Sequence, residues 1–220
     1  MQPIAKASAQ TALRLLMFTI VGTAALALTF NITRDKIAAS EEVEKLNLIK
    51  QIVPQGKFDN AIMQDTLSIP ADPLLGNAQP TITYRGRLQD RPSVLVLEAI
   101  APDGYSGKIR FIMALQYDGT ISGVRVVKHK ETPGLGDYID AAKSGWIKGF
   151  DGISLSNRQD KDWKVRKDGG QFDYMAGATV TPRAVVKAVH KAAQYYAQHR
   201  DELFAQQAVT PDSTTATGKE

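Results

Sequence analysis

Apolar residues recur along this chain in three rhythms, and each predicts a different element. Leu15 to Thr33 carries no charged residue, and a helix of that length spans about 28 Å, close to the hydrocarbon thickness of a bilayer. A retained transmembrane helix over 15–33 is expected. A cleaved secretory signal is the competing reading, because Lys6 and Arg14 make a basic start and Ala25-Leu26-Ala27 fits a small-residue cleavage site. The apolar run continues beyond that site through Leu28, Phe30 and Ile32, which favours retention. Next, Ser40-Glu41-Glu42 can open a juxtamembrane helix with Val43, Leu46, Ile49 and Val53 on one stripe, ended by Pro54 and Gly56. From Asp59 to Pro80 no period is sustained and Pro70, Pro73 and Pro80 interrupt, so the stretch reads as loops with at most one short element.

The middle of the chain turns strand-like. Ser93 to Ala99, Lys108 to Tyr117 and Thr120 to Val127 are rich in Val, Ile, Leu and aromatics, with Thr81 to Leu88 as a further strand. Asp118-Gly119 predicts a two-residue hairpin connection, and Asp103-Gly104-Tyr105-Ser106-Gly107 a turn joining the earlier pair. From Pro182 the period becomes helical: Val185, Val189, Ala192, Tyr196 and Leu203 share one face of a helix running to about Ala205. Thr181 suits its N-cap and Pro182 its first position, where a missing N–H costs nothing. The pattern predicts an α+β class, an antiparallel sheet packed by helices and preceded by a single N-terminal transmembrane helix. The functional domain is placed at 81–205, the juxtamembrane and connecting segment at 34–80, and a short N-terminal segment at 1–14. Gln206 to Glu220 holds too few apolar groups to order itself, so a disordered tail is expected.

Composition narrows the chemistry. A chain of 220 residues with 43% apolar content builds one ordinary domain plus extra segments. It contains no cysteine, which excludes iron–sulfur clusters, c-type haem attachment, thiol redox chemistry and disulfides. Any redox role needs an organic cofactor. His129, His190 and His199 lack the close pairing of a zinc or non-haem iron site. The formal charge of +4 is small and its cations are interleaved with anions, so nucleic-acid binding has no support and attraction to anionic membrane lipid is weak at most. Lys6 and Arg14 before the apolar run are balanced by Arg34 and Lys36 after it, and we expect the N-terminus on the cytoplasmic side.

Two glycine-containing segments carry the candidate chemistry. In Asp173-Tyr174-Met175-Ala176-Gly177-Ala178-Thr179, a free threonine hydroxyl stands just before a helix start, where backbone N–H groups and the helix dipole favour a phosphate. Gly177 and Ala178 leave the preceding turn nearly without side chains. The segment reads either as a cofactor attachment site at Thr179 or as a plain capped helix entrance. In Glu131-Thr132-Pro133-Gly134-Leu135-Gly136, Pro133-Gly134 fits the centre of a type II turn and Gly136 allows a second bend. Such a loop offers backbone donors beside an apolar contact, which a flat, partly polar ring such as a flavin requires; it also reads as a surface turn.

With both motifs in one exported domain, the chain resembles the RnfG family, the FMN-binding subunits of the Rnf (also called Rsx) electron transport complex. It resembles more distantly the C-type subunit of the sodium-pumping NADH:quinone reductase. In that family a flavin transferase links the FMN phosphate to a threonine hydroxyl within a pattern like Asp-x-x-(Ser/Thr)-Gly-Ala-Thr. Asp173, Gly177, Ala178 and Thr179 fit it, while Ala176 replaces the hydroxyl residue. The resemblance implies covalent FMN on Thr179, with Gly177 and Ala178 beside it and Asp173 recognised by the flavin transferase. It also implies a flavin pocket that includes Glu131, Thr132, Leu135 and Gly136. It implies further an electron relay in a bacterial inner-membrane complex that couples electron transfer to ion movement, its soluble domain on the periplasmic side and the other subunits as partners. Under it, backbone donors of the 132–136 loop would stabilise the reduced ring. Glu131 would either repel reduced flavin or orient the loop, and Trp146 would either stack on the ring or pack internally. The alternatives are the quinone reductase subunit itself, or a membrane-anchored binding protein without redox activity in which both motifs are only turns.

Overall fold

The computed structural model describes residues 2–205; the tail expected over 206–220 lies outside the described residues. Contacts divide the chain into two units between Leu46 and Asn47.

The first helix, α1, runs Gln2–Ile52. Within it Ser8–Ile37 is long and apolar enough to cross a membrane and is wholly unburied by the rest of the chain. Hydroxyls of Thr19, Thr29 and Thr33 donate back to the carbonyls of Leu15, Ala25 and Thr29 at 2.9, 2.8 and 2.8 Å. That satisfies polar groups for which hydrocarbon has no partner. The separate helix expected to open at Ser40 does not exist, because α1 continues through it. Between Arg34 and Ile52 there is neither Pro nor Gly, and propagating a helix needs no second nucleation. Pro54 and Gly56, the latter at φ +75°, follow the helix end. Of the expected stripe, Val43 is exposed, whereas Ile49 and Val53 are buried.

In the second unit five strands form one antiparallel meander in chain order: β1 (Thr66–Ile69), β2 (Thr81–Leu88), β3 (Arg91–Ala101), β4 (Ile109–Gln116) and β5 (Ile121–Lys128). With α1 and the C-terminal helix α2 (Val180–Ala205) the architecture is α+β. β1 is the short element that the proline-broken stretch left open. The hairpin at Asp118-Gly119 closes with one more loop residue than expected. Gln116 N–H donates to the Thr120 carbonyl at 2.8 Å, leaving Tyr117, Asp118 and Gly119 outside the ladder, with Gly119 at φ +88°. A left-handed residue at the end of a three-residue loop is the usual bulged hairpin, accommodated here by a register shift at Ala114/Leu115.

One sheet face carries Leu95, Leu97, Phe111, Met113 and Leu115, which form a single core with Val185, Val189, Ala192, Tyr196 and Leu203 of α2. The helical stripe read from the sequence is thus the buried face. The other face buries Val94, Val96, Ile112 and Ala114. There Gly123 lies against Ile52 from the end of α1, and Gly86 lies beside Phe58 and Ile62. A sheet covered on both sides explains why its strands read as nearly continuous apolar runs.

The two ends of α2 are held by side chains remote in sequence. At its C-terminus Arg85, buried, donates to the Leu203 carbonyl at 3.2 Å, and Arg87 to the Phe204 carbonyl at 3.0 Å. Asp65 accepts from both guanidiniums, at 2.7 Å from each Nε. Cations at that end complement the helix dipole. The N-terminal end belongs to the site.

Candidate functional site

After β5 the chain makes a compact turn. The Thr132 carbonyl accepts from the N–H groups of Leu135 and Gly136, both at 3.1 Å, and Gly134 sits at φ +77° as a type II turn requires. Gly134 N–H donates to Asp137 Oδ1 at 2.8 Å. Among the described residues the loop's other donors are consumed internally, and of its N–H groups only that of Thr132 is without a partner. Gly136 is not the second left-handed bend: its φ is −88°. It is glycine for space, since a Cβ there would lie 2.7 Å from Glu131 Oε2 and 2.9 Å from Thr181 Oγ1.

Those two atoms form the centre of the site. Glu131 is 4% exposed, and its Oε2 accepts from the Thr181 hydroxyl at 2.5 Å while its Oε1 accepts from Ser106 N–H at 3.0 Å. Its own N–H donates to His129 Nδ1 at 3.1 Å. One carboxylate thus joins the β3–β4 turn, the loop after β5 and the first turn of α2. Of the two roles open to Glu131, this geometry performs the orienting one, with bonds of the stronger, charge-assisted kind.

Helix α2 begins at Val180, two residues before the expected start. Thr179 takes the cap position, and its carbonyl accepts from Arg183 N–H at 3.3 Å. Thr181, expected as the cap, lies inside the first turn with its hydroxyl turned to Glu131; a strong buried acceptor outcompetes a local cap bond. The Thr179 hydroxyl and the N–H groups of Thr179, Val180 and Thr181 have no partner among the described residues, and Pro182 has no N–H to leave unpaired. Just upstream, Ala178 N–H donates to the Met175 carbonyl at 3.0 Å across a turn with Gly177 at φ +85°.

Between these segments opens a pocket of about 200 Å³. The loop after β5 lines it with Glu131, Thr132, Leu135 and Gly136, the start of α2 with Gly177, Ala178, Val180 and Thr181, and the β3–β4 turn with Tyr105. Six of the residues singled out in the sequence, 131, 132, 135, 136, 177 and 178, meet there. Thr179 is half-buried between Ala178 and Val180, which both line the pocket. Tyr105, Val180 and Thr181 are lining residues that the motifs did not indicate. Nothing local to Tyr105 distinguishes it from any turn aromatic, although its place beside two glycines was visible.

Asp173 stands apart, in a groove with Trp146, Arg158 and Gln171. Its carboxylate pairs with Arg166 at 3.1 Å, both side chains being largely exposed, a contact worth little in stability. Trp146 donates from Nε1 to the Asp173 carbonyl at 2.7 Å and meets Tyr138 and Phe150 edge-on, at ring separations of 5.7 and 5.6 Å. The Tyr138 hydroxyl accepts from Met175 N–H at 3.3 Å. Burial raises the Tyr138 pKa, partly offset by that bond. Trp146 and Tyr138 thus hold the strand of chain leading to Thr179, and Trp146 packs rather than lining the pocket.

The apolar walls of Leu135 and Val180, the donors at a helix start and the unengaged hydroxyl beside them suit a flat ring bearing a phosphate. The class this fold and site define is the FMN-binding domain, whose family matches residues 104–194 and so takes in every pocket residue. Residues 1–52 match the RnfG N-terminal region. The G-type subunit of the ion-translocating oxidoreductase complex of Aliivibrio fischeri (strain ATCC 700601 / ES114) is 43% identical over 194 residues, covering 88% of this chain and 92% of the relative. That of Pseudomonas aeruginosa (strain UCBPP-PA14) is 45% identical over 196 residues, 89% and 92% of the two chains. That of Vibrio cholerae serotype O1 (strain ATCC 39541 / Classical Ogawa 395 / O395) is 44% identical over 192 residues, 87% and 91%. The chain belongs to this family of G-type, or RnfG, subunits.

Proposed function

We propose that this chain is the electron-carrier subunit of a membrane-bound ion-translocating oxidoreductase, carrying FMN esterified through its phosphate to Thr179. The observation that carries the reading is the state of the α2 N-terminus: one hydroxyl and three backbone donors without partners among the described residues, next to a pocket with apolar walls. An anion at that point gains the donors and the helix dipole together. FMN supplies the acceptance and release of electrons. The chain's residues anchor, orient and shield it. Thr179 is a tether, the Leu135 and Val180 side chains cover apolar surface, and Glu131 keeps the two loops in register. Donation to the ring from the 132–136 loop, expected from the sequence, falls to Thr132 alone, since the other N–H groups are spent within the turn.

In this reading Asp173, exposed and outside the pocket, is presented to a flavin transferase rather than to the flavin. The partners are that transferase, the other subunits of the complex and the membrane lipid around 15–33, with the N-terminus inside and the second unit on the periplasmic side of a bacterial inner membrane. The full chain, co-expressed with a flavin transferase, purified in mild detergent and run on a denaturing gel, is expected to fluoresce with the added mass of FMN. Thr179→Ala should give a dark band from a folded chain, and Thr181→Val should stay fluorescent. A dark wild-type band sinks the covalent reading, and a fluorescent Thr179→Ala band sinks the assigned site.

A further inference from the structure

Tyr105 is 73% exposed, yet it lines the same pocket as Leu135 and Val180. Its phenol makes no hydrogen bond or ring contact among the described residues. A single exposed aromatic on a surface is ordinary, but one that lines a pocket is placed to meet what enters it. Tyr174 and Met175, each 40% exposed on the neighbouring loop, do not line the pocket. Tyr105 does, and its backbone is pinned. Ser106 N–H, the next residue, is held by Glu131 Oε1 at 3.0 Å. On the other side Gly104 is packed so closely that a Cβ would fall 2.2 Å from the Gly107 carbonyl oxygen and 2.9 Å from Glu131 Oε1.

We propose that Tyr105 is the aromatic wall of the flavin site, stacking on the ring, and that Glu131 is the positioning residue that holds it there. This rests on the reading that FMN occupies the pocket. A face-offset aromatic contact covers the ring's apolar surface at little entropic cost, because a tyrosine has few rotatable bonds and its turn is already fixed. It also has an optical signature. An electron-rich phenol in van der Waals contact with a photoexcited flavin gives it an electron, which returns in the dark with no net reaction, so emission is lost while nothing is consumed.

The test compares the flavin emission of the native full-length chain, co-expressed with a flavin transferase and held in detergent, with that of the same sample after denaturation. Wild type is expected to be dim when native and bright when denatured. Tyr105→Ala and Tyr105→Phe should be severalfold brighter in the native state at unchanged flavin per chain, while Tyr105→Trp should be as dim as wild type. Glu131→Ala should also brighten, and Glu131→Gln should restore dimness, since its amide oxygen still accepts from Ser106 N–H. Equal native emission from wild type and Tyr105→Ala at equal flavin content overturns the proposal while leaving the site reading intact. A wild-type chain without covalent flavin overturns both.

Discussion

Two glycines two residues apart, Gly134 and Gly136, are needed for unlike reasons. Gly134 sits at φ +77° with open space where a Cβ would go, so its requirement is conformational. Gly136 has an ordinary φ of −88°, and what it provides is room for the Glu131 carboxylate and the Thr181 hydroxyl. Gly134→Ala is expected to cost about 1 kcal/mol, the usual penalty for an L-residue held at positive φ. Gly136→Ala should cost about 2 to 3 kcal/mol, because the added carbon pushes into a buried bond it cannot avoid. Only the second should also disturb the flavin, shifting its absorption bands. Denaturant titration and visible spectra of both variants check this. The sequence showed both glycines as turn residues, but the reason for Gly136 comes from Thr181, a neighbour far along the chain.

At the scale of elements, α2 is legible from its stripe of Val185, Val189, Ala192 and Tyr196, since helical spacing alone brings these onto one face. Its start shifted by two residues because Thr181 found Glu131, and nothing in the neighbourhood of Thr181 announces that acceptor. On the same helix His190 stacks on Trp163 at 4.8 Å, with Asp160 at 3.4 Å. Burial lowers the His190 pKa below its ordinary 6.5, and Asp160 offsets this only in part. The folded state therefore prefers the neutral ring. Above 6.5 both folded and unfolded chains are neutral there and the contribution is complete. As pH falls below 6.5 the unfolded chain binds the proton first, and stability declines until the lower folded value is reached. The unfolding midpoint is expected to fall between about pH 7.5 and about pH 5.5, and to fall less in His190→Gln. Equal slopes in the two chains would rule out His190 as the titrating group.

For the whole molecule, α1 joins an apolar span to a sheet-and-helix unit that starts at Asn47. The absence of cysteine makes the side of the membrane directly measurable. Ala142→Cys, at an exposed loop position, would be the sole thiol in the chain. A membrane-impermeant maleimide added to intact cells whose outer membrane is permeabilised should label it, as the proposed periplasmic placement requires. Labelling only after the inner membrane is broken would reverse the orientation.

By itself the sequence determined the apolar span, the α+β class, most strands, the buried face of α2 and the two motifs of the site. All of these depend on the spacing of near neighbours, which fixes which face of an element is apolar and where the backbone turns. Only the tertiary structure decided that Glu131 meets Thr181, 50 residues away, that Tyr105 lines the pocket, and that Arg85 and Arg87 grip the far end of α2. Those pairings depend on which surfaces the packed core brings face to face. A buried carboxylate takes whatever donors arrive there, so its partners are set by the fold rather than by any local pattern.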